Sequence, residues 1–103
     1  MDFETIVFTL IANSGEVRSL SMEAIHFARN GEYEKAESCI KEADEKLGAA
    51  HTIQTSLIQN EAQGSETKVT LLLVHAQDHL MNAITIKDMA NEFIELYKTV
   101  SCK

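Results

Sequence analysis

Not one proline interrupts these 103 residues, and there are only four glycines. A chain without its strongest helix breaker, and with so few residues that favour tight turns, is biased toward long helices over a turn-rich β architecture. The apolar spacing says the same. From about Phe3 to Arg29, the residues Ile6, Leu10, Val17, Leu20, Ala24 and Phe27 recur at helical steps of three, four and seven. Ser14-Gly15 resembles a turn signal, yet the phase from Leu10 to Val17 runs through it. A continuous helix carrying one weak glycine, at a cost of about 1 kcal/mol against alanine, is expected. Asn30-Gly31 is a good stop, since both residues tolerate the left-handed conformation that closes a helix.

A second helix is expected from about Tyr33 to Ala62, with Ile40, Ala43, Leu47, Ala50, Gln54 and Leu57 in one phase across Gly48. The short connection through Gly31 makes the first two helices an antiparallel hairpin. Gly64 ends the second helix. Ser65 followed by Glu66 offers an N-cap with an acid in the first turn, so a third helix is placed at about Glu66 to Thr99. The segment QGSETK is then the only real loop, and residues 1–103 read as one domain with no repeat and no internal boundary.

Helix three differs from the others in being apolar on two sides. One stripe, Val69, Leu73, Ala76, Leu80, Ala83, Ala90, Ile94 and Tyr97, can pack on the hairpin. The opposite stripe is Leu71, His75, Asp78, Asn82, Ile86, Met89, Phe93 and Val100. A helix apolar on two sides must be buried on two sides, and three helices cannot cover both. The fold class is therefore all-α, an antiparallel three-helix bundle that self-associates with helix three nearest the centre of a larger bundle.

Charge and thiols narrow the setting. Sixteen acidic against nine basic residues give a net charge of −7, which argues against the clustered basic face of a nucleic-acid binder. There are two cysteines and no CxxC. The first residues, MDFETIVF, carry acids where a signal peptide carries bases, which points to a reduced, cytoplasmic setting. No apolar run approaches the roughly 20 residues of a membrane span. Cys39 falls in a core stripe and Cys102 in a tail expected to fray; His26 and His51 sit at polar helical positions. None of these four reads as chemical.

The chemistry concentrates in residues 75–83, HAQDHLMNA. At about 100° per residue, His75, Asp78, His79 and Asn82 fall within an arc of about 100° that runs on into Ile86, Met89 and Phe93. The cluster thus lies in or beside the self-association face. Three readings are open on spacing alone. The histidines can be satisfied interface residues and Asp78 a helix-surface acid. His75, Asp78 and His79 can form a facial metal set, although the glutamate that follows the first histidine in zinc-protease helices is here Ala76. Or His75 is a nucleophile toward a phosphoryl group, a role that needs one accessible imidazole, something to orient it and a docking surface. A phosphate-cradling loop is unnecessary when the donor brings an activated phosphate.

The segment HAQDHLMNA, after its leucine-rich run and early in the third of three long helices, resembles the active-site segment of a known family. This is the lactose/cellobiose-type IIA components of the bacterial phosphoenolpyruvate-dependent sugar phosphotransferase system. NSGEVRSLSMEAI, AESCIKEADEKLGAAH and LIQNEAQG resemble the same family in order and spacing, so the likeness covers essentially the whole chain. The resemblance implies a homotrimer of three-helix subunits. It implies that His75 accepts a phosphoryl group from the phosphocarrier HPr and passes it to a cysteine of the sugar-specific IIB component. The phosphate ends on a β-linked disaccharide entering through the membrane component IIC. It implies that Asp78 meets its two symmetry mates on the trimer axis around a divalent ion such as Mg²⁺. Gln77 and His79 are carried over as site-lining residues. Three carboxylates on an axis repel strongly in a low dielectric, and a cation with oxygen ligands compensates them. The alternative is a trimeric helical adaptor that keeps the fold without phosphotransfer, which would have no need of an imidazole at position 75.

Overall fold

A computed structural model describes residues 2–101 as three helices: α1, Phe3–Arg29; α2, Tyr33–Ala62; and α3, Leu71–Ser101. The described residues form an elongated body of 56 × 21 × 20 Å. Helix α1 lies along both partners, whereas α2 and α3 meet each other much less extensively.

The ends of α1 and α2 are set by glycine. Gly31 has φ +79° and Gly64 φ +94°, both in the left-handed region that an L side chain rarely adopts. Each donates its N–H back to a carbonyl of the last helical turn, Gly31 to Ala28 (3.0 Å) and Gly64 to Glu61 (3.0 Å). The following residues complete the motif: Glu32 N–H bonds the Phe27 carbonyl and Ser65 N–H the Asn60 carbonyl, both at 2.9 Å. These paired bonds satisfy carbonyls that a helix end otherwise leaves without partners. Gly15 and Gly48 sit inside unbroken helices. At the other end of α1, Asp2 accepts from the Thr5 N–H at 2.8 Å, and that bond holds its carboxyl below the usual carboxylate range.

The third helix starts later than the Ser65-Glu66 signal predicts. Residues 65–70 lie outside any helix, and Thr70 is the cap: its Oγ1 accepts from the Leu73 N–H at 3.1 Å. Two features of TKVT account for the shift. Its β-branched residues disfavour the helical turn, and a threonine before LLLV is itself a good N-cap. Val69 is consequently 72% exposed and takes no part in the inner stripe. The rest of that stripe behaves as expected, with Leu73, Ala76, Leu80, Ala83, Ala90 and Ile94 buried and Tyr97 half-buried.

The buried seam of α1 is Val7, Leu10, Ser14, Val17, Ser21, Ala24 and Ala28, an unbroken alternation of three and four. Ile6, Leu20 and Phe27, expected in the core, flank it half-buried. Serines complete the seam because they are small enough for close helix approach. The Ser21 hydroxyl donates to the Val17 carbonyl at 2.6 Å; the Ser14 hydroxyl is fully buried without a partner. On α2, Ala36, Cys39, Ile40, Ala43 and Ala50 are buried. Burial pushes the Cys39 thiol up, helped by Glu23 and Glu42, which suits a packing residue and not a nucleophile. Cys102 lies outside the described residues.

Candidate functional site

About two turns of α3 carry the cluster, and the helix itself does the positioning. Residues four apart lie one above the other on a single face, so His75 meets His79 and Asp78 meets Asn82. The His75 and His79 Nε2 atoms are 3.1 Å apart, with ring centroids 4.5 Å apart and the ring planes nearly perpendicular at 87°. That separation is a hydrogen-bond distance between two ring nitrogens, and the tautomers decide which ring donates and which accepts. Asn82 Nδ2 donates to Asp78 Oδ2 at 3.3 Å. His75, Asp78 and Asn82 are exposed and His79 half-buried.

Gln77 is not brought to this face within the subunit. Two residues from His75 is a rotation of about 200° around the helix. Its Oε1 instead accepts from Gln54 Nε2 at 2.7 Å, and the same Gln54 nitrogen lies 3.7 Å from the Met81 sulfur. Gln54 thus ties α2 to the flank of the site segment. A glutamine in an otherwise apolar stripe of α2 was its signal in the sequence. Ion pairs fix α3 further along: Lys87 Nζ lies 3.0 Å from Asp44, and Lys98 Nζ 2.6 Å from Glu37. The hydrogen bond to Asp44 raises the Lys87 pKa, and that to Glu37 raises the Lys98 pKa.

The facial metal set of His75, Asp78 and His79 does not form. No three His, Cys, Asp or Glu side chains gather at a single metal position among the described residues, and the Asp78 carboxylate turns to Asn82. One subunit therefore offers a single carboxylate at position 78, which fits a divalent ion only where further copies supply theirs. His26 and His51 are exposed, on α1 and α2.

Beyond the cluster, the outer face of α3 stays uncovered. Leu71 is 86% exposed, Met89 52% and Val100 60%, with Phe93 and Leu96 also exposed alongside. No helix among the described residues is long and apolar enough to cross a membrane.

Residues 5–98 match the model of the PTS system lactose/cellobiose-specific IIA subunit family. The chain belongs to that family. It is a sugar-specific IIA component of the lactose/cellobiose/chitobiose type, and hence a phosphotransferase component. It is 53% identical over 100 residues to the lichenan-specific phosphotransferase enzyme IIA component of Bacillus subtilis, covering 97% of this chain and 91% of the relative. The crystal structure of the cellobiose-specific enzyme IIA from Bacillus anthracis superposes with a TM-score of 0.94 at 51% identity, covering 100% of this chain and 95% of that one. The chitobiose IIA of Escherichia coli, solved in complex with HPr, superposes at 0.85 with 37% identity and 98% of each chain covered. The IIA fold is thus present from end to end, with an accessible histidine pair on its third helix.

Proposed function

We propose that His75 is the phosphoryl carrier of this IIA component. The observation that carries the reading is the 3.1 Å contact between the His75 and His79 Nε2 atoms on the open face of α3. A neutral His75 with its hydrogen on Nδ1 presents the Nε2 lone pair, and the His79 N–H beside it is a donor for a phosphoryl oxygen. In the first step the bond from phosphorus to the donor breaks as a bond to His75 Nε2 forms. In the second, a thiolate of the cognate IIB attacks the same phosphorus and the imidazole leaves. HPr is the donor in this reading, supported by the HPr complex of the chitobiose relative. Transfer through IIB and the membrane component IIC serves a β-linked disaccharide of the cellobiose type, in a cytoplasmic setting. The names of the relatives, lichenan-specific and cellobiose-specific, support that sugar class.

The working unit in this reading is a homotrimer. The uncovered stripe of Leu71, Met89, Phe93, Leu96 and Val100 gives three copies of α3 a surface to bury, with Asp78 in the same stripe. Three Asp78 carboxylates on the axis would hold Mg²⁺ or another divalent ion through oxygen ligands and water, and the ion would supply charge compensation there.

The test is incubation with phosphoenolpyruvate, enzyme I and HPr, followed by intact mass. Wild type gains one phosphoryl group. His75→Ala gains none while keeping its helical content and its sedimentation as a trimer. A His75→Ala protein that still gains the mass assigns the nucleophile elsewhere, and a wild type that gains none leaves the adaptor reading.

A further inference from the structure

We infer that His75 and His79 together form a two-nitrogen clasp for a divalent transition ion of the zinc, nickel and copper class, and that an ion held there closes the phosphoryl site. Imidazole nitrogens bind such ions at about 2.0–2.1 Å. Two bonds of that length, meeting at an angle between square and tetrahedral, place their nitrogens about 2.9–3.4 Å apart. The His75 and His79 Nε2 atoms are 3.1 Å apart, and they are the atoms through which the two rings meet. Both residues stand one turn apart on the unbroken helix Leu71–Ser101, so the backbone does not reorganise. The ion takes the place of the hydrogen between the rings. The ring that supplied that hydrogen carries it on Nδ1 instead, so both lone pairs reach the ion and no proton is lost overall.

The ligand chemistry separates this site from position 78. Soft-to-borderline ions choose imidazole, whereas magnesium and calcium choose oxygen. The Asp78 carboxylate is engaged with Asn82, so the remaining coordination positions of the ion are open to water. The stoichiometry differs as well: a clasp on each α3 takes one ion per chain, whereas an ion on a threefold axis takes one per three chains. Nε2 of His75 cannot attack phosphorus while its lone pair is on a metal. Only this blocking step rests on the phosphocarrier reading; the clasp itself does not.

Calorimetric titration of Zn²⁺ and Ni²⁺ into the metal-stripped protein tests the clasp without any phosphate donor. One ion per chain is expected in the Asp78→Leu background, where no axial carboxylates compete for the metal. His79→Gln and His75→Gln should each weaken binding on the order of 100-fold, because the second nitrogen acts at high effective concentration. Cys102→Ser should leave it unchanged. A stoichiometry of one ion per three chains, binding that survives both histidine substitutions, or binding lost with Cys102→Ser would overturn the clasp. For the blocking step, Zn²⁺ at saturation should stop phosphate uptake by wild type, and EDTA should restore it, with HPr phosphorylation followed separately. Continued uptake by the zinc-loaded protein would refute the closure.

Discussion

The two faces of α3 are alike in sequence and opposite in fate. The inner face buries Leu73, Ala76, Leu80, Ala83, Ala90 and Ile94 against α1 and α2. The outer face carries apolar residues that are on the whole larger, Leu71, Met89, Phe93, Leu96 and Val100, and leaves them in solvent. Burial of apolar area stabilises at about 25 cal/mol per Å². The inner face has realised that gain within the subunit, and the outer face can realise it only against something else. The difference teaches where folding ends and assembly begins. The same division runs through the polar residues, because the histidine pair and Asp78 sit on the face whose covering is external.

The largest expected effect comes from the inner face. Leu80 is fully buried between α1 and α2, so Leu80→Ala removes three carbons and leaves a cavity. A loss of about 2–5 kcal/mol is expected, read as a lowered denaturant midpoint. Phosphate uptake per folded molecule should be retained, because Leu80 is on the opposite side of α3 from His75. A variant with an unshifted midpoint would show that the inner face is not the folding face.

Asp78 probes the outer face with a smaller effect of opposite sign. In the metal-bridged trimer that we propose, chelation removes the cation that compensates three carboxylates, so wild type should dissociate more readily in EDTA. Asp78→Leu removes the repulsion and extends the apolar stripe toward Leu71. Replacing a buried charged cluster with packed hydrophobes is neutral or stabilising by about 1–4 kcal/mol in comparable cases. The variant should sediment as a trimer, melt no lower than wild type and ignore EDTA. Monomers of the variant, or a wild type indifferent to chelator, would remove Asp78 from the axis and leave the outer face without its proposed ion.

Legibility in the sequence followed the same inner and outer division. The bounds of α1 and α2 could be read because Gly31 and Gly64 combine a stop signal with a conformation that few other residues tolerate. The start of α3 could not, since Ser65-Glu66 and Thr70 are both reasonable caps and only the β-branched stretch between them decides. The inner seam of α1 was half visible: Leu10, Val17 and Ala24 stand out as apolar, whereas Ser14 and Ser21 hold seam positions by virtue of size, which a hydrophobic pattern does not record. On the outer face, the meeting of His75 with His79 followed from helical spacing alone. Gln77 did not: its bond to Gln54 depends on how α2 and α3 pack, and no spacing within one helix encodes that.

The smallest effect contrasts a polar atom in the inner core with the polar cluster outside. Ser14 sits in the α1 seam with its hydroxyl fully buried and unpartnered, while Ser21, one heptad on, donates to the Val17 carbonyl. A buried hydroxyl without a hydrogen bond loses its water contacts and gains nothing in return, at about 1–3 kcal/mol. Alanine removes that penalty, is a better helix former than serine and is smaller, so it meets no clash. Against this stands the loss of the oxygen's packing volume. Ser14→Ala should therefore stabilise by about 1 kcal/mol, which for a domain of this size is a rise of about 4–8 °C in Tm. Ser21→Ala, which also gives up a hydrogen bond, should gain less or nothing. Neither change touches the outer face, so the increment from Ser14→Ala should be the same in wild type and in Asp78→Leu, with or without chelator. Equal Tm shifts at the two serines would mean that the Ser14 hydroxyl is satisfied in solution. An increment that depends on chelator would couple the seam to the assembly face and erase the division between them.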